Sequence, residues 1–443
     1  MIKLTHGGDI YSAKERMEGE IIDFSANINP LGLPDSVKKA LMESMDCFSC
    51  YPDPICRGVA EKIAKSEGTE TENILCANGA ADLIFRISQA IRPRNALLAV
   101  PTFSEYEQAL SSVGCHIRYF NLSQENDFCL TEDFLEEIRP DTNLIFLCNP
   151  NNPTGQLIAP RLLEKILARC SSCGTMLVVD ECFRDFLDNP QENSMLSWVS
   201  SFPNLMILRA FTKHYAMAGL RLGYCLCSNT PLLERMAQCG QPWSVSVPAQ
   251  IAGAAALEDT DYLAKTREWI QSEREYLKSE LNRLGIKVIG SQANYLFFRL
   301  EDSETLPSFL EKKGILIRSC ANYRGLDSAY YRIAVKSHKD NQTLVNAFTE
   351  YLAPEEEAEQ EQVSLSDEQK NISEEYAEAE QTEQPKEERE DNELIVVEQP
   401  DFELPQSNLQ KESSVPPLSD AEQKKQYRFL RKKSKKYDWE GEE

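Results

Sequence analysis

The segment 209–224, RAFTKHYAMAGLRLGY, places a lysine where it could do chemistry. Lys213 directly follows a predicted strand, Thr212 precedes it, and Arg221 stands eight residues further on, after a glycine-containing turn. A lysine in a partly closed cleft can attack a carbonyl carbon, because desolvation and nearby cations lower the pKa of its ammonium group. Lys213 is therefore a candidate for Schiff-base chemistry, and a solvated loop lysine is the alternative interpretation.

A second segment, CANGAADLIF, is suited to bind a phosphate group. Gly79, Ala80 and Ala81 stand just before and within the first turn of a predicted helix. Backbone N–H groups and the helix dipole favour an anion at this end of a helix. Because these side chains are small, an anion can approach the backbone closely.

Both segments belong to a region in which short apolar runs alternate with helix-length amphipathic stretches, from about residue 55 to 230. This alternation is typical of a mostly parallel sheet with helices on both faces. The predicted strands span residues 96–100, 116–121, 143–147, 176–180, 205–209 and 222–227. The predicted helices include residues 81–91, 104–113, 160–170 and 231–239.

The chain beyond residue 240 predicts a smaller α+β domain. Apolar residues at helical spacing predict one long helix over 261–284. The further elements predicted are strands 287–289, 294–299, 314–318 and 331–335, and helices 306–312 and 342–352. A large and a small domain imply a ligand-binding cleft between them. The predicted organisation is an N-terminal arm (1–45), a large domain (46–240), a small domain (241–353) and an acidic tail (354–443).

The charge balance excludes some classes of function. The 443 residues carry 47 Lys and Arg against 71 Asp and Glu, for a net charge of −24, which argues against a nucleic-acid-binding protein. Glu and Gln dominate the first half of the tail, which predicts disorder, and the basic cluster 424–436 could bind a protein partner. No stretch approaches the roughly 20 apolar residues of a membrane span, so we expect a cytoplasmic protein without membrane contact.

The cysteine pattern favours reduced thiols. All 14 cysteines precede the tail and are scattered along predicted strands and helices, as in a large intracellular domain. The pairs Cys47/Cys50 and Cys170/Cys173 have a spacing that zinc sites use. However, no histidine accompanies them at finger-like spacing, and the chain is long enough to fold without a metal. We therefore expect no metal site.

Several motifs together resemble the fold-type I, class I/II aminotransferase superfamily of pyridoxal-phosphate enzymes, over about residues 6–352. The resemblance implies that Lys213 forms the covalent bond to the cofactor, while Thr212 and Arg221 bind its phosphate. In NPNNPTG, Asn152 matches the asparagine that donates to the 3-oxygen of the pyridine ring. In MLVVDECF, Asp180 ends a predicted strand and matches the carboxylate that pairs with the pyridinium nitrogen.

Three further positions fit the same superfamily. In PTFSEY, Phe103 matches the aromatic residue that stacks on the pyridine ring. In CYPDP, Tyr51 matches a residue that reaches the cofactor phosphate of the partner subunit, so the resemblance implies a homodimer. The segment 79–81, described above, matches the phosphate-binding turn.

Within the superfamily, the chain is most similar to the threonine-phosphate decarboxylases of cobalamin biosynthesis. The opening THGGD, the later DFSANINPLGLP and Phe183 in DECF, where most aminotransferases have a tyrosine, carry this resemblance. It implies decarboxylation of L-threonine O-3-phosphate to (R)-1-aminopropan-2-yl phosphate. A substrate with a carboxylate and a phosphate needs two cationic anchors, which guanidinium groups supply well. The implied substrate contacts are His6, Gly7, Asn27, Asn152, Arg318 and Arg332.

Two alternatives share the cofactor residues. One is an aminotransferase acting on histidinol phosphate or a similar compound, and the other is a decarboxylase of L-serine O-phosphate. Which of Arg318 and Arg332 binds the carboxylate, and which the phosphate, is open from sequence.

Overall fold

The structure is a computed structural model that describes residues 7–17 and 19–353. The predictions made for His6 and for the tail 354–443 lie outside these residues. Among the helices of the described part, none is long and apolar enough to cross a membrane.

The described residues form helices and strands throughout their length. The α-helices are α1 (Ile10–Arg16), α2 (Asp35–Glu43), α3 (Arg57–Glu67), α4 (Ala80–Ile91), α5 (Ser104–Ser112), α6 (Phe134–Glu137), α7 (Pro160–Cys173), α8 (Phe211–His214), α9 (Thr230–Gln238), α10 (Val247–Ala256), α11 (Thr260–Arg283), α12 (Leu306–Lys312) and α13 (His338–Leu352). The strands are β1 (Ile22–Asp23), β2 (Ile74–Ala77), β3 (Asn95–Val100), β4 (His116–Asn121), β5 (Leu144–Cys148), β6 (Met176–Asp180), β7 (Leu205–Ala210), β8 (Gly223–Leu226), β9 (Lys287–Ile289), β10 (Tyr295–Arg299), β11 (Ile315–Leu316), β12 (Arg318–Ser319) and β13 (Tyr330–Ala334).

A seven-stranded sheet in the order β2-β8-β7-β6-β5-β3-β4 forms the centre of the large domain. The pairs from β7 to β4 are parallel, whereas β8 runs antiparallel to both β7 and β2. A parallel sheet is stable when helices cover both of its faces, which explains why its strands are almost continuously apolar. The predicted α/β architecture with a mostly parallel sheet is confirmed.

Each face of the sheet has its own hydrophobic core, because successive side chains of a strand point to opposite faces. Leu97 belongs to the core that α3, α7 and α10 cover, and Leu98 belongs to the core beneath α4, α5 and α9. Both side chains are buried. The two helical layers thus fix the sheet and its carboxyl edge, where the predicted site residues lie.

A second sheet, in the order β12-β13-β10-β9, is antiparallel throughout. Helices α11, α12 and α13 pack on it and contribute Leu277, Leu310 and Phe348 to its core. The arm reaches this core through β1, which pairs in parallel with β11. The smaller α+β unit predicted from the sequence is therefore present. The boundaries between the arm (1–45), the large domain (46–240) and the small domain (241–353) remain our proposal.

The predicted strand 314–318 is wrong. Gly314 has a left-handed φ of +77° and precedes the strand, and a Cβ there would lie 2.8 Å from the backbone oxygen of Glu20. The chain then changes partners around Ile317, since β11 pairs with β1 and β12 pairs with β13. Two short strands of different sheets thus replace one, because the arm competes for the first half of the segment.

Most other predicted bounds agree with the structure to within one or two residues. Helix α7 extends three residues beyond its predicted end, to a left-handed Gly174, and α13 begins one turn earlier, where the Ser337 side chain accepts from the Asp340 N–H. The sequence analysis did not predict β1, β2, α1, α2, α3, α6, α8 and α10. Among these, β2 completes the edge of the sheet, and α3 and α10 belong to one of its covering layers.

The cysteines are all free thiols. Cys170 and Cys173 lie one turn apart at the end of α7, and Cys47 and Cys50 are exposed. In residues 7–17 and 19–353, no group of three or more His, Cys, Asp and Glu side chains is arranged to hold a metal ion.

Asn29 joins the arm to the rest of the fold through a buried set of hydrogen bonds. Its amide nitrogen, which carries two N–H groups, lies within hydrogen-bond distance of three acceptors: the backbone oxygen of His214 (2.7 Å), Thr266 Oγ1 (2.8 Å) and Tyr262 Oη (3.0 Å). Its own backbone N–H donates to the Lys213 oxygen at 3.2 Å. Asn29 therefore holds the backbone around Lys213 against α11.

We expect Asn29→Ala to lower the free energy of unfolding by about 2–3 kcal/mol, because buried acceptors lose their donor. Urea unfolding followed by circular dichroism measures the change. Asn282→Ala, at an exposed position of α11, is the control and should change stability by less than about 0.5 kcal/mol. Equal stability of the two variants would contradict the assigned role of Asn29.

Candidate active site

A cavity of about 300 Å³ lies between the carboxyl edge of the seven-stranded sheet, the arm and the second sheet. Parallel strands bring their carboxyl ends to one edge, which is where open α/β sheets bind ligands. The predicted site residues that line this cavity are Gly7, Asn27, Ala80, Ala81, Phe103, Asn152, Asp180, Thr212, Lys213, Arg221, Arg318 and Arg332.

Two of the predicted residues that the structure describes, Gly79 and Tyr51, are not part of the lining. Gly79 lies directly behind it, because a Cβ at this position would be 2.7 Å from Arg221 Nη2. Tyr51 lies away from the cavity, with 80% of its surface exposed, and its ring centroid is 4.7 Å from that of Trp243. His6 is outside the described residues.

Lys213 lies in α8, immediately beyond the end of β7. Its Nζ is 5.9 Å from the centroid of the Phe183 ring. Burial in the cavity, together with the positive charges of Arg332 and Arg221, lowers the pKa of Lys213 to about 8, against the opposing influence of Cys182 and Glu105. A neutral, nucleophilic amine is therefore accessible at close to neutral pH.

Asp180 is the last residue of β6 and is 5% exposed. Tyr106 Oη donates to its Oδ2 at 2.7 Å, and the Cys182 backbone N–H donates to its Oδ1 at 3.0 Å. Burial raises the pKa of Asp180, while these two hydrogen bonds favour its charged form. A cationic ring nitrogen in the cavity would stabilise the carboxylate further.

The amino end of α4 forms one wall of the cavity. Gly79 has a φ of +84°, a conformation that favours glycine, and places Ala80 and Ala81 at the first turn. The guanidinium of Arg221 and the hydroxyl of Thr212 line the same cavity. Helix N–H groups, a cation and a hydroxyl are together suited to bind a phosphate.

Arg332 joins the second sheet to two other parts of the chain. From β13, its Nη1 donates to Asn152 Oδ1 and its Nη2 donates to the Ser25 backbone oxygen at 2.9 Å. Its Nε and the Oδ1 of Asn27 are buried without a hydrogen-bond partner in the described part of the chain. Such atoms cost free energy unless a ligand or water satisfies them. Their position in the cavity wall favours a polar ligand.

Arg318 and Arg332 are directly opposite each other on the antiparallel strands β12 and β13. Like charges at such positions destabilise a sheet. An anion bound between or beside the two guanidinium groups would offset this repulsion. The arrangement therefore predicts a ligand with at least one negative group.

The structure also adds lining residues that the sequence analysis did not assign to the site: Ser25, Ala26, Glu105, Cys148, Cys182, Ala210 and Tyr323. Three of them stand at or just beyond the carboxyl ends of strands: Cys148 at β5, Cys182 at β6 and Ala210 at β7. Their position after predicted strands could therefore have assigned them to the site. Tyr323 lies between β12 and β13, outside any helix or strand, and nothing in the sequence indicates its place.

Comparison with known proteins identifies the family. Residues 19–348 match the family described as aminotransferase class I and II. The chain belongs to this family. It is 40% identical to the threonine-phosphate decarboxylase of Salmonella typhimurium strain LT2 over 352 residues, covering 78% of this chain and 96% of that protein. It is 31% identical to the adenosylcobalamin biosynthesis bifunctional protein CobDQ of Leptospira interrogans, covering 78% of this chain and 40% of that protein.

Solved structures agree with this family assignment. The L-threonine-O-3-phosphate decarboxylase of Porphyromonas gingivalis has a TM-score of 0.65 and 28% identity, covering 74% of this chain and 98% of that chain. The histidinol-phosphate aminotransferase of Clostridium acetobutylicum has a TM-score of 0.70 and 29% identity, with the same coverage. The structural neighbours of this chain thus include both a decarboxylase and an aminotransferase.

We expect the cofactor-free protein to bind pyridoxal phosphate covalently at Lys213 with a rate that depends on pH. Below pH 8 the ammonium form predominates, so the rate should fall about tenfold for each unit below 8 and level off above it. Borohydride trapping followed by peptide mass spectrometry measures the adduct. Lys213→Ala should abolish it, whereas Lys336→Ala, which removes another lysine of lowered pKa outside the cavity, should not.

A rate that keeps rising up to pH 10.5, the ordinary pKa of a lysine, would contradict the assigned environment of Lys213.

Proposed function

We propose that this protein decarboxylates L-threonine O-3-phosphate to (R)-1-aminopropan-2-yl phosphate and CO₂, with pyridoxal phosphate as cofactor, and so provides the aminopropanol linker in cobalamin biosynthesis. The observation that carries the proposal is the pair of guanidinium groups, Arg318 and Arg332, that line one cavity with Lys213. The relatedness to threonine-phosphate decarboxylases supports the same reaction.

The cavity fits pyridoxal phosphate. The first turn of α4, Thr212 and Arg221 would bind its phosphate, and Phe103 would stack on its ring. Asp180, oriented by Tyr106, would pair with the ring nitrogen, and Lys213 would bind the aldehyde carbon. When bound, the cofactor supplies an electron-withdrawing ring that stabilises the charge left on the substrate α-carbon as CO₂ departs.

Arg332 is suited to orient one anionic group of the substrate. Its hydrogen bonds to Asn152 and Ser25 fix the guanidinium, so little side-chain freedom is lost when a ligand binds. With the cofactor bound, the position in which the protein holds the substrate carboxylate would decide between loss of CO₂ and loss of the α-proton. The arginine that binds the carboxylate therefore selects the reaction by geometry.

A proton must be delivered to the α-carbon after CO₂ leaves. Lys213 Nζ lines the same cavity and, with a pKa of about 8, can hold or release a proton near neutral pH. The Lys213 amine, or a water molecule, is therefore suited to complete the reaction. Asn27, whose Oδ1 has no partner among the described residues, can accept a hydrogen bond from a substrate donor.

We expect the purified protein, loaded with pyridoxal phosphate, to release CO₂ and aminopropanol phosphate from threonine phosphate over many turnovers without a keto acid. The CO₂ and the product are measured directly, with Lys213→Ala as the inactive control. Conversion of the cofactor to its amine form without CO₂ would assign the protein to the histidinol-phosphate-type aminotransferases instead.

The same assay compares serine phosphate with threonine phosphate. One methyl group changes binding by about 1–3 kcal/mol, so a preference for either substrate should be about 10- to 200-fold in kcat/KM.

We further propose a homodimer in which each subunit contributes Tyr51 to the site of its partner. Tyr51 is 80% exposed and does not line the cavity of its own chain. The neighbouring apolar side chains on residues 42–55, together with Trp243, are also exposed, and exposed apolar patches are typical of subunit interfaces. These side chains are Met42, Met45, Phe48, Ile55 and Trp243.

We expect Tyr51→Ala and Lys213→Ala to be weakly active or inactive alone but to complement each other. A mixed dimer has one intact site, with Lys213 from one chain and Tyr51 from the other. Co-expression with two different tags, followed by purification of the mixed dimer, should recover up to half of the wild-type rate. Absence of recovery in a purified mixed dimer would contradict a shared site.

We also propose that the protein acts in the cytoplasm and that the tail 354–443 binds a protein partner. The amino-acid composition supports both proposals.

A further inference from the structure

The loop between β12 and β13 borders the mouth of the cavity. Tyr323 of this loop lines the cavity together with Arg318 and Arg332. The Tyr323 N–H donates to the Cys320 oxygen at 2.9 Å, and the Leu326 N–H donates to the Tyr323 oxygen at 3.1 Å. Two consecutive turns therefore fix the backbone at Tyr323, although no helix or strand contains it.

Tyr323 and its neighbour Asn322 hold the Arg318 side chain. The guanidinium carbon of Arg318 is 5.4 Å from the centroid of the Tyr323 ring, within the range of a cation–π interaction. Arg318 Nη2 also donates to Asn322 Oδ1 at 2.8 Å. A long arginine side chain has many rotamers, and these two contacts restrict it to those that face the cavity.

The hydroxyl of Tyr323 lies among positive charges. Burial raises the pKa of Tyr323, while the charges of Arg332 and Arg318 and a hydrogen bond with Arg318 act in the opposite direction. The phenol is therefore near both guanidinium groups. An anion that binds Arg318 meets an arginine that is already oriented.

The next residue fixes the loop to the large domain. Arg324 Nη2 is 2.9 Å from Glu107 Oε1, and the Arg324 guanidinium carbon is 4.0 Å from the centroid of the Tyr119 ring. Glu107 belongs to α5, which begins directly after Phe103. The contact thus connects the loop to the element that follows the residue predicted to stack on the cofactor.

This connection contributes little to folding. About half of the Arg324 side chain and 37% of the Glu107 side chain are exposed, and exposed ion pairs have small effects on stability. Its position, between the loop and the cavity wall, indicates a role in placing Tyr323. A small cavity of about 50 Å³, lined by Phe103, Glu107, Tyr323 and Arg324, lies at this junction.

We propose that Tyr323 is a positioning residue that orients Arg318 towards the substrate anion, and that the contacts of Arg324 with Glu107 and Tyr119 fix Tyr323 in place. The inference rests on the proposed function, because it assumes an anionic substrate bound by Arg318. Tyr323 acts on substrate binding rather than on the chemical step.

The first test compares Tyr323→Phe and Tyr323→Ala in the loaded enzyme. The phenylalanine variant keeps the ring beneath Arg318 but loses the hydroxyl, so KM for threonine phosphate should rise about threefold to fivefold. The alanine variant loses both and should raise KM about tenfold or more, with kcat within twofold in both variants. Tyr276→Phe, on α11 and away from the cavity, is the control and should leave KM unchanged.

The second test concerns the connection to α5. Arg324→Ala and Glu107→Gln should each raise KM about twofold to threefold, and the double variant should raise it no further than Arg324→Ala alone, because both changes remove the contact between Arg324 and Glu107. Lys313→Ala is the matched control. Lys313 is 2.6 Å from Glu350 and 5.1 Å from the Phe309 ring centroid, so it has the same two kinds of contact at a distance from the cavity.

Calorimetry measures the dissociation constant of threonine phosphate from the cofactor-free protein, so it tests this inference independently of the proposed reaction. The dissociation constants should follow the same order as the KM values even if the wild-type protein releases no CO₂. The inference would be overturned if both Tyr323 variants had the KM and the dissociation constant of the wild-type protein for threonine phosphate. A variant with a lower melting temperature but wild-type binding would show that Tyr323 only supports the fold.

Discussion

A single guanidinium group connects the three parts of the chain that form the site. Arg332 comes from the second sheet, donates to Asn152 beyond β5 of the large sheet, and donates to the backbone of Ser25 in the arm. The packing of these three parts around the cavity therefore sets the position of a cationic anchor. Because the group is buried, it has to be paired, and the pairing requires all three parts to be in place.

The charges around the cavity balance each other only in part. Burial lowers the pKa of Lys213 and raises that of Asp180, so each group is shifted towards its neutral form. Arg318 and Arg332, opposite each other on adjacent strands, repel. Anionic groups on a ligand would offset the repulsion between the two arginines, and a cationic ring nitrogen would stabilise the charged form of Asp180. The site is thus complementary to a cofactor and a substrate of defined charge, which is a stronger constraint than shape.

The sequence predicted the large sheet well, because each of its parallel strands is a short apolar run between amphipathic helices. Strands β4 and β6 have the predicted bounds. It predicted the small domain less well at residues 314–318, where two sheets share one segment. Local periodicity cannot reveal such a change of partner, because β1, which takes the first half of the segment, lies almost three hundred residues earlier in the chain. The antiparallel direction of β8 is likewise a property of pairing and not of composition.

The sequence by itself determined which chemical groups are available and on which elements they lie. Asp180 ends an apolar strand, and Lys213 and the turn before α4 each follow one. The carboxyl edge of a parallel sheet brings such positions together. Only the tertiary structure decided that Arg318 and Arg332 face each other, that Asn29 holds the backbone of Lys213, and that Tyr323 lies beneath Arg318. These contacts join residues that are distant in sequence or belong to an irregular loop, and their geometry depends on how the arm and the two sheets pack.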